Sequence, residues 1–147
     1  ITYPLKDEEL VIMRSNMNSQ SAATNSVVST ADITKARNVV SEIYMDEKIE
    51  KYILDIVFAT RQPKEYGLDK LTPLISYGAS PRATINLALG AKAYAFIKRR
   101  GYVIPEDIRA ISMDVLRHRV AVTYEAEAEE VTSEQIVQEV LNKIEVP

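Results

Sequence analysis

The segment Gly78-Ala79-Ser80-Pro81-Arg82-Ala83-Thr84-Ile85-Asn86-Leu87-Ala88-Leu89 opens a long helix around which the chain can be organised. Ser80 is a natural N-cap and Pro81 a natural first helical residue, because a proline there gives up an amide that has no intrahelical partner. The run continues through Ala91, Ala93, Tyr94, Phe96 and Ile97 to Lys98-Arg99-Arg100, with Gly101 placed to close it. Apolar residues occupy nearly every face of its middle, which predicts a central helix surrounded by others. Gly78 and Ala79, just ahead, carry little bulk and permit close approach. Arg82 stands in the first turn, where the positive end of the helix dipole makes a cation mildly unfavourable by itself. Beside free amides of Ala83 and Thr84, its guanidinium completes an anion-binding site. The competing reading is a surface arginine paired with a nearby carboxylate, and the residues alone leave both open.

On the N-terminal side, Asp7 to Met17 has weak helical spacing, and Asn16 to Ser26 reads as a mobile loop or interdomain linker poor in bulky apolar residues. A helix begins near Thr30, with Asp32 in its first turn, and ends before Ile43-Tyr44-Met45. Asp46 is the next N-cap. Behind it Ile49, Tyr52, Ile53, Ile56, Val57 and Thr60 recur at helical spacing up to Arg61-Gln62, ahead of Pro63. Residues 63–77 read as mostly irregular.

On the C-terminal side, Tyr102-Val103-Ile104 is a strand-like link, and Pro105-Glu106-Asp107 opens a helix that runs to about Leu116. Val120 to Tyr124 is β-prone and is expected to pair with Tyr102-Val103. Residues 125–130 form an acidic loop, and Thr132-Ser133-Glu134-Gln135 resembles a capping box. The last helix sets Ile136, Val137, Val140, Leu141 and Ile144 on one side. The expected fold is a mainly α helical bundle of about five to six helices, with room for one very short β pair.

The 147 residues suffice for about one domain with a real core. A net charge of −3 offers no basic stripe for nucleic acid, and no apolar run approaches the roughly 20 residues of a membrane span. With no cysteine and His118 as the single histidine, the common zinc ligand sets are out. His118 lies between Arg117 and Arg119, which disfavour a protonated imidazole and make it a poor general base. The four glycines, Gly67, Gly78, Gly90 and Gly101, include no pair at phosphate-loop spacing. Glu125, Glu127, Glu129 and Glu130 lack the glycine and Asp/Asn spacing of a calcium loop, so no metal site is expected. Lys98, Arg99 and Arg100 sit where a helix C-terminus favours cations, and so does Arg61. Arg117, His118 and Arg119 are expected to cap carbonyls or pair with the acidic loop.

Gly78-Ala79-Ser80-Pro81-Arg82-Ala83 strongly resembles the MoxR family of AAA+ ATPases. Tyr102-Val103-Ile104-Pro105-Glu106-Asp107-Ile108 and Asp114-Val115-Leu116-Arg117-His118-Arg119-Val120 follow in the family's order and spacing. Tyr3-Pro4, Glu8-Glu9-Leu10 and Ala59-Thr60-Arg61 also fit, so the resemblance covers nearly the whole chain. It implies a helical AAA+ lid over residues 29–147 and a core-to-lid connection, with a helix and mobile linker, over 1–28. It makes Arg82 the sensor 2 residue that reaches the γ-phosphate of ATP, with Gly78, Ala79, Ser80 and Pro81 completing the nucleotide-binding motif. A guanidinium at a helix N-terminus is a bidentate phosphate partner, which agrees.

The resemblance further implies an α/β core, carrying the Walker motifs and Mg, that belongs to the same protein. Ile1-Thr2-Tyr3-Pro4-Leu5 reads like the interior of such a longer chain, and these residues alone are not expected to be an enzyme or to bind ATP tightly. Implied partners are neighbouring subunits of a hexameric ring and von Willebrand factor A domain proteins, in a cytoplasmic, chaperone-like machine. One departure is Ile104, where many relatives have a hydroxyl residue, which removes a side-chain cap. The alternative is a free-standing helical protein-interaction module with no nucleotide role.

Overall fold

The computed structural model describes residues 3–17 and 25–147. Its helices are α1 (Lys6–Met17), α2 (Thr30–Glu42), α3 (Glu47–Arg61), α4 (Pro81–Ile97), α5 (Pro105–Leu116), α6 (Tyr124–Ala128) and α7 (Ser133–Lys143). The two short strands are β1 (Ile75–Tyr77) and β2 (Ala121–Val122), paired antiparallel. The chain divides into two units, residues 1–33 and 34–147. In the first, α1 buries none of its side chains, in keeping with its weak apolar spacing. The linker expected over Asn16 to Ser26 falls largely on residues 18–24, which lie outside the described residues.

Within residues 34–147 the core follows from the apolar stripes. The whole stripe read on α3, from Ile49 to Thr60, is buried, and so is the α7 set Ile136, Val137, Val140 and Leu141. Helix α4 contributes Ala83, Leu87, Ala91 and Ala95, one residue per turn at four-residue spacing. Three of these are alanines, so α3 and α5 can approach the α4 backbone closely. Ile108 and Leu116 of α5 close the cluster from the other side. Arg109 Nη1 donates to the Leu141 carbonyl at 2.7 Å and ties α5 to the end of α7.

Several expectations are corrected. Helix α4 is not surrounded: it buries one stripe, while Ile85 and Leu89 are 58% and 59% exposed on its outer side. It also ends at Ile97 rather than at Gly101. The chain leaves through Arg99 in the left-handed conformation (φ 59°), with the Arg100 amide bonded back to the Ala95 carbonyl. The β pair exists, but β2 takes β1 as its partner; Tyr102 instead forms a parallel bridge with Tyr44. Residues 63–77, read as irregular, contain two 3-10 turns and β1. The acidic loop at 125–130 is largely α6, capped by Thr123. That short helix brings the count to seven among the described residues.

The caps follow local chemistry. Asp46 accepts from the Lys48 amide at 2.9 Å, and Thr132 and Gln135 exchange the two bonds of a capping box. Helix α2 is capped by Ser29, whose hydroxyl accepts from the Asp32 amide. Ile104 has no oxygen to offer, so only the return bond forms at α5, from the Ile104 amide to Asp107 Oδ2. Asp107 is buried and also receives both terminal nitrogens of Arg100, at 2.8 and 2.5 Å. Arg100, read as an ordinary C-terminal cation, therefore clamps the end of α4 to the start of α5.

Candidate functional site

Strand β1 delivers the chain into the loop that precedes α4. Strand β1 is itself held by β2, and the segment leading into it by Thr123, whose amide donates to the Leu74 carbonyl and whose hydroxyl donates to that of Pro73. At its far end the loop rests on the C-terminus of α3. The Thr60 hydroxyl, buried, donates to the Val57 carbonyl at 2.7 Å and accepts from the Ala79 amide at 2.9 Å. Arg61 Nε donates to the Ala79 carbonyl at 2.5 Å, with the guanidinium 5.0 Å from the centre of the Phe58 ring. Both polar groups of the Ala79 peptide backbone are thus bonded to consecutive residues of one helix end. Gly78 lies so close that an added Cβ would stand 2.4 Å from the Thr60 carbonyl oxygen.

The motif residues divide accordingly. Ala79 is fully buried and Gly78 half-buried, whereas Ser80, Pro81 and Arg82 are exposed. Ser80 occupies the N-cap position with extended backbone, but its hydroxyl makes no cap bond. The Ala83 amide, read as free, donates to the Ser80 carbonyl at 2.8 Å. Among the described residues, the Arg82 side chain has no hydrogen bond or ion pair, so the carboxylate partner weighed above does not appear. The result is a rigid loop presenting an unengaged hydroxyl and an unengaged guanidinium at the positive end of a helix of 17 residues. Chemically, this arrangement suits an oxyanion carrying more than one acceptor oxygen.

Thr60 and Arg61 are the residues that reading from physical pattern missed. In the sequence Thr60 is one more position on a buried stripe, and Arg61 a cation suited to a helix end. The available signal was their place in the Ala59-Thr60-Arg61 block. Among the described residues, Arg117 pairs with Asp114 at 3.1 Å and not with the acidic segment, and His118 is exposed.

Residues 71–140 match the AAA lid domain family. Over its full length the chain is 32% identical to a protein named Chaperone MoxR1 from Mycobacterium tuberculosis, of which it spans 39%. Over 99% of its length it is 34% identical to the protein YeaC from Bacillus subtilis, spanning 43% of it. The crystal structure of an inferred ATPase from Cytophaga hutchinsonii superposes over the whole chain with a TM-score of 0.91 at 43% identity, the chain covering 45% of it. The chain therefore spans about two fifths of the length of these curated relatives.

Proposed function

Because this chain is a helical AAA lid domain of the MoxR type, we propose that it senses nucleotide through Arg82 for an ATPase core in the same protein. The observation that carries this reading is the unengaged guanidinium in the first turn of α4, on a loop fixed to α3. A side chain that stabilised only its own domain would be expected to have a partner there. Ser80 and Arg82 would hold the terminal phosphate of a nucleotide bound by the core, the hydroxyl as donor and the guanidinium as a bidentate donor. ATP and its Mg would supply the phosphoryl chemistry. The lid's own part is to bind, orient and neutralise charge, and to change position when the terminal phosphate is lost.

The outer side of α4 supports the same reading. Ile85 and Leu89, with Leu54 and Met45, line an apolar groove of about 350 Å³, which suits a domain covered in the intact protein by its core or by a neighbouring subunit. In that setting we place the lid in a ring-forming, cytoplasmic, chaperone-like machine that remodels client proteins, with von Willebrand factor A domain proteins as candidate partners.

The test is Arg82→Ala in the full-length protein. Steady-state ATP turnover should fall by about 10- to 100-fold, the scale of losing one preorganised donor to a transferring group. The melting temperature should stay within about 2 °C, as for other surface substitutions. Wild-type turnover in a folded Arg82→Ala protein would sink the sensor assignment.

A further inference from the structure

We infer that Thr60 and Arg61 are positioning residues for Arg82, holding its loop through the two polar groups of the Ala79 backbone. The inference rests on the sensor reading above and adds the device that sets where the sensor points. Arg82 lies three residues beyond Ala79. Between them stand only Ser80, at the extended N-cap, and Pro81, whose ring fixes its φ. Orientation lost at Ala79 is therefore passed on to the first turn of α4 with little to absorb it.

The attachment has three independent parts. The Ala79 amide is bonded to the Thr60 hydroxyl at 2.9 Å, and the Ala79 carbonyl accepts from Arg61 Nε. Gly78 packs against the Thr60 carbonyl at a distance no side chain would allow. Thr60 and Ala79 are both 0% exposed, so the bond between them does not compete with water, while the Arg61 bond is half-buried. An amide bonded to a hydroxyl and a carbonyl bonded to a guanidinium restrain both the tilt and the displacement of one peptide segment. Helix α3 and the sensor loop should then move as one body, so that rotation of α3 carries Arg82 with it. Core packing alone does not require this arrangement. An apolar residue at position 60 would fill the same space but leave the buried Ala79 amide unpaired, so the hydroxyl serves the loop and not the packing of α3. A cation at position 61 would be served by the helix end.

The experiment is a double-mutant cycle in the full-length ATPase, read as ATP turnover at saturating nucleotide, with melting temperature as a control on folding. Thr60→Val keeps shape and removes the hydroxyl; Thr60→Ser keeps the hydroxyl; Arg61→Met keeps length over Phe58 and removes the donor. We expect Thr60→Val and Arg61→Met each to lower turnover by about 5- to 50-fold, because ångström-scale misplacement of a catalytic contact costs up to about 100-fold. Thr60→Ser should restore turnover to within about twofold of wild type.

In the Arg82→Ala background, both substitutions should have no further effect beyond about twofold, since residues acting through one group are not additive. Equal losses with and without Arg82 would overturn the inference, as would undiminished turnover in folded Thr60→Val and Arg61→Met proteins. If Thr60→Val does not fold, Arg61→Met decides in the same way. Unchanged turnover in Arg82→Ala alone would instead remove the sensor reading and this inference with it. A loss there, with silent positioning variants, would remove only the latter.

Discussion

At Arg82 the side chain and the helix that carries it work against each other. A cation in the first turn of α4 faces the positive end of the dipole with no carboxylate to offset it, so its presence is a small cost to the lid itself. Replacing it by glutamate in the 147-residue chain should raise the melting temperature by about 1 °C, and a clear fall on thermal denaturation would show that Arg82 supports the fold. Gly78 has the opposite character. A methyl group there would meet backbone, not a yielding side-chain tip, at 2.4 Å. Gly78→Ala should cost about 2 kcal/mol or more by overpacking, seen as a lower denaturation midpoint at unchanged m. Arg99 sits at φ 59°, where glycine is favoured. Arg99→Gly should raise the melting temperature by about 2 °C. Arg82 draws notice because a cation at the wrong helix end is conspicuous, but the residues alone leave its role open. Arg99 does not, because Gly101 nearby draws the helix end three residues too far, to Arg100.

At the scale of elements, the clamp between α4 and α5 matters most to stability. Asp107 is 1% exposed on its side chain and Arg100 23%, so the pair is shielded on one side and open on the other. Asp107→Ala removes the partner of Arg100 and of the Ile104 amide together. A cost of about 2–4 kcal/mol is expected, below the full value for a wholly buried pair because Arg100 keeps some water. Chemical denaturation measures it. At α2, the Ser29 hydroxyl and amide both donate to Asp32 and hold its carboxyl below the ordinary 3.8. A depressed folded-state value stabilises the cap above pH 3.8 and loses that contribution as pH falls below it. Amide shifts of residues 29–33 should report fraying there and no comparable change between pH 5 and 8. Helices α3 and α7 were legible because cap and apolar stripe agreed, and α5 because proline and two acids open its first turn. The strand partners were not: two- and three-residue strands carry no periodic signal, so the choice between Tyr102-Val103 and Ile75–Tyr77 fell to tertiary packing.

At the scale of the molecule, α4 shows what sequence pattern can and cannot assign. Its apolar content on every face was read as burial on every side, yet Ile85 and Leu89 stand exposed. Pattern records that a surface is apolar and does not say which chain covers it. Leu89→Lys should leave the fold of the 147-residue chain intact, by far-UV circular dichroism, and impair assembly or turnover of the intact protein. On the proposed reading, one arginine and one hydroxyl supply only part of a nucleotide site. Titration of ATP into these residues alone should accordingly give a Kd weaker than about 1 mM, and a micromolar value would mean that the lid carries a site of its own.

The position of Arg82 when nucleotide is bound tests the central claim most directly. A structure of the full-length protein with a non-hydrolysable ATP analogue should place the guanidinium within about 3 Å of the γ-phosphate oxygens. A fully bound analogue with Arg82 still in solvent, or paired elsewhere, would contradict the account.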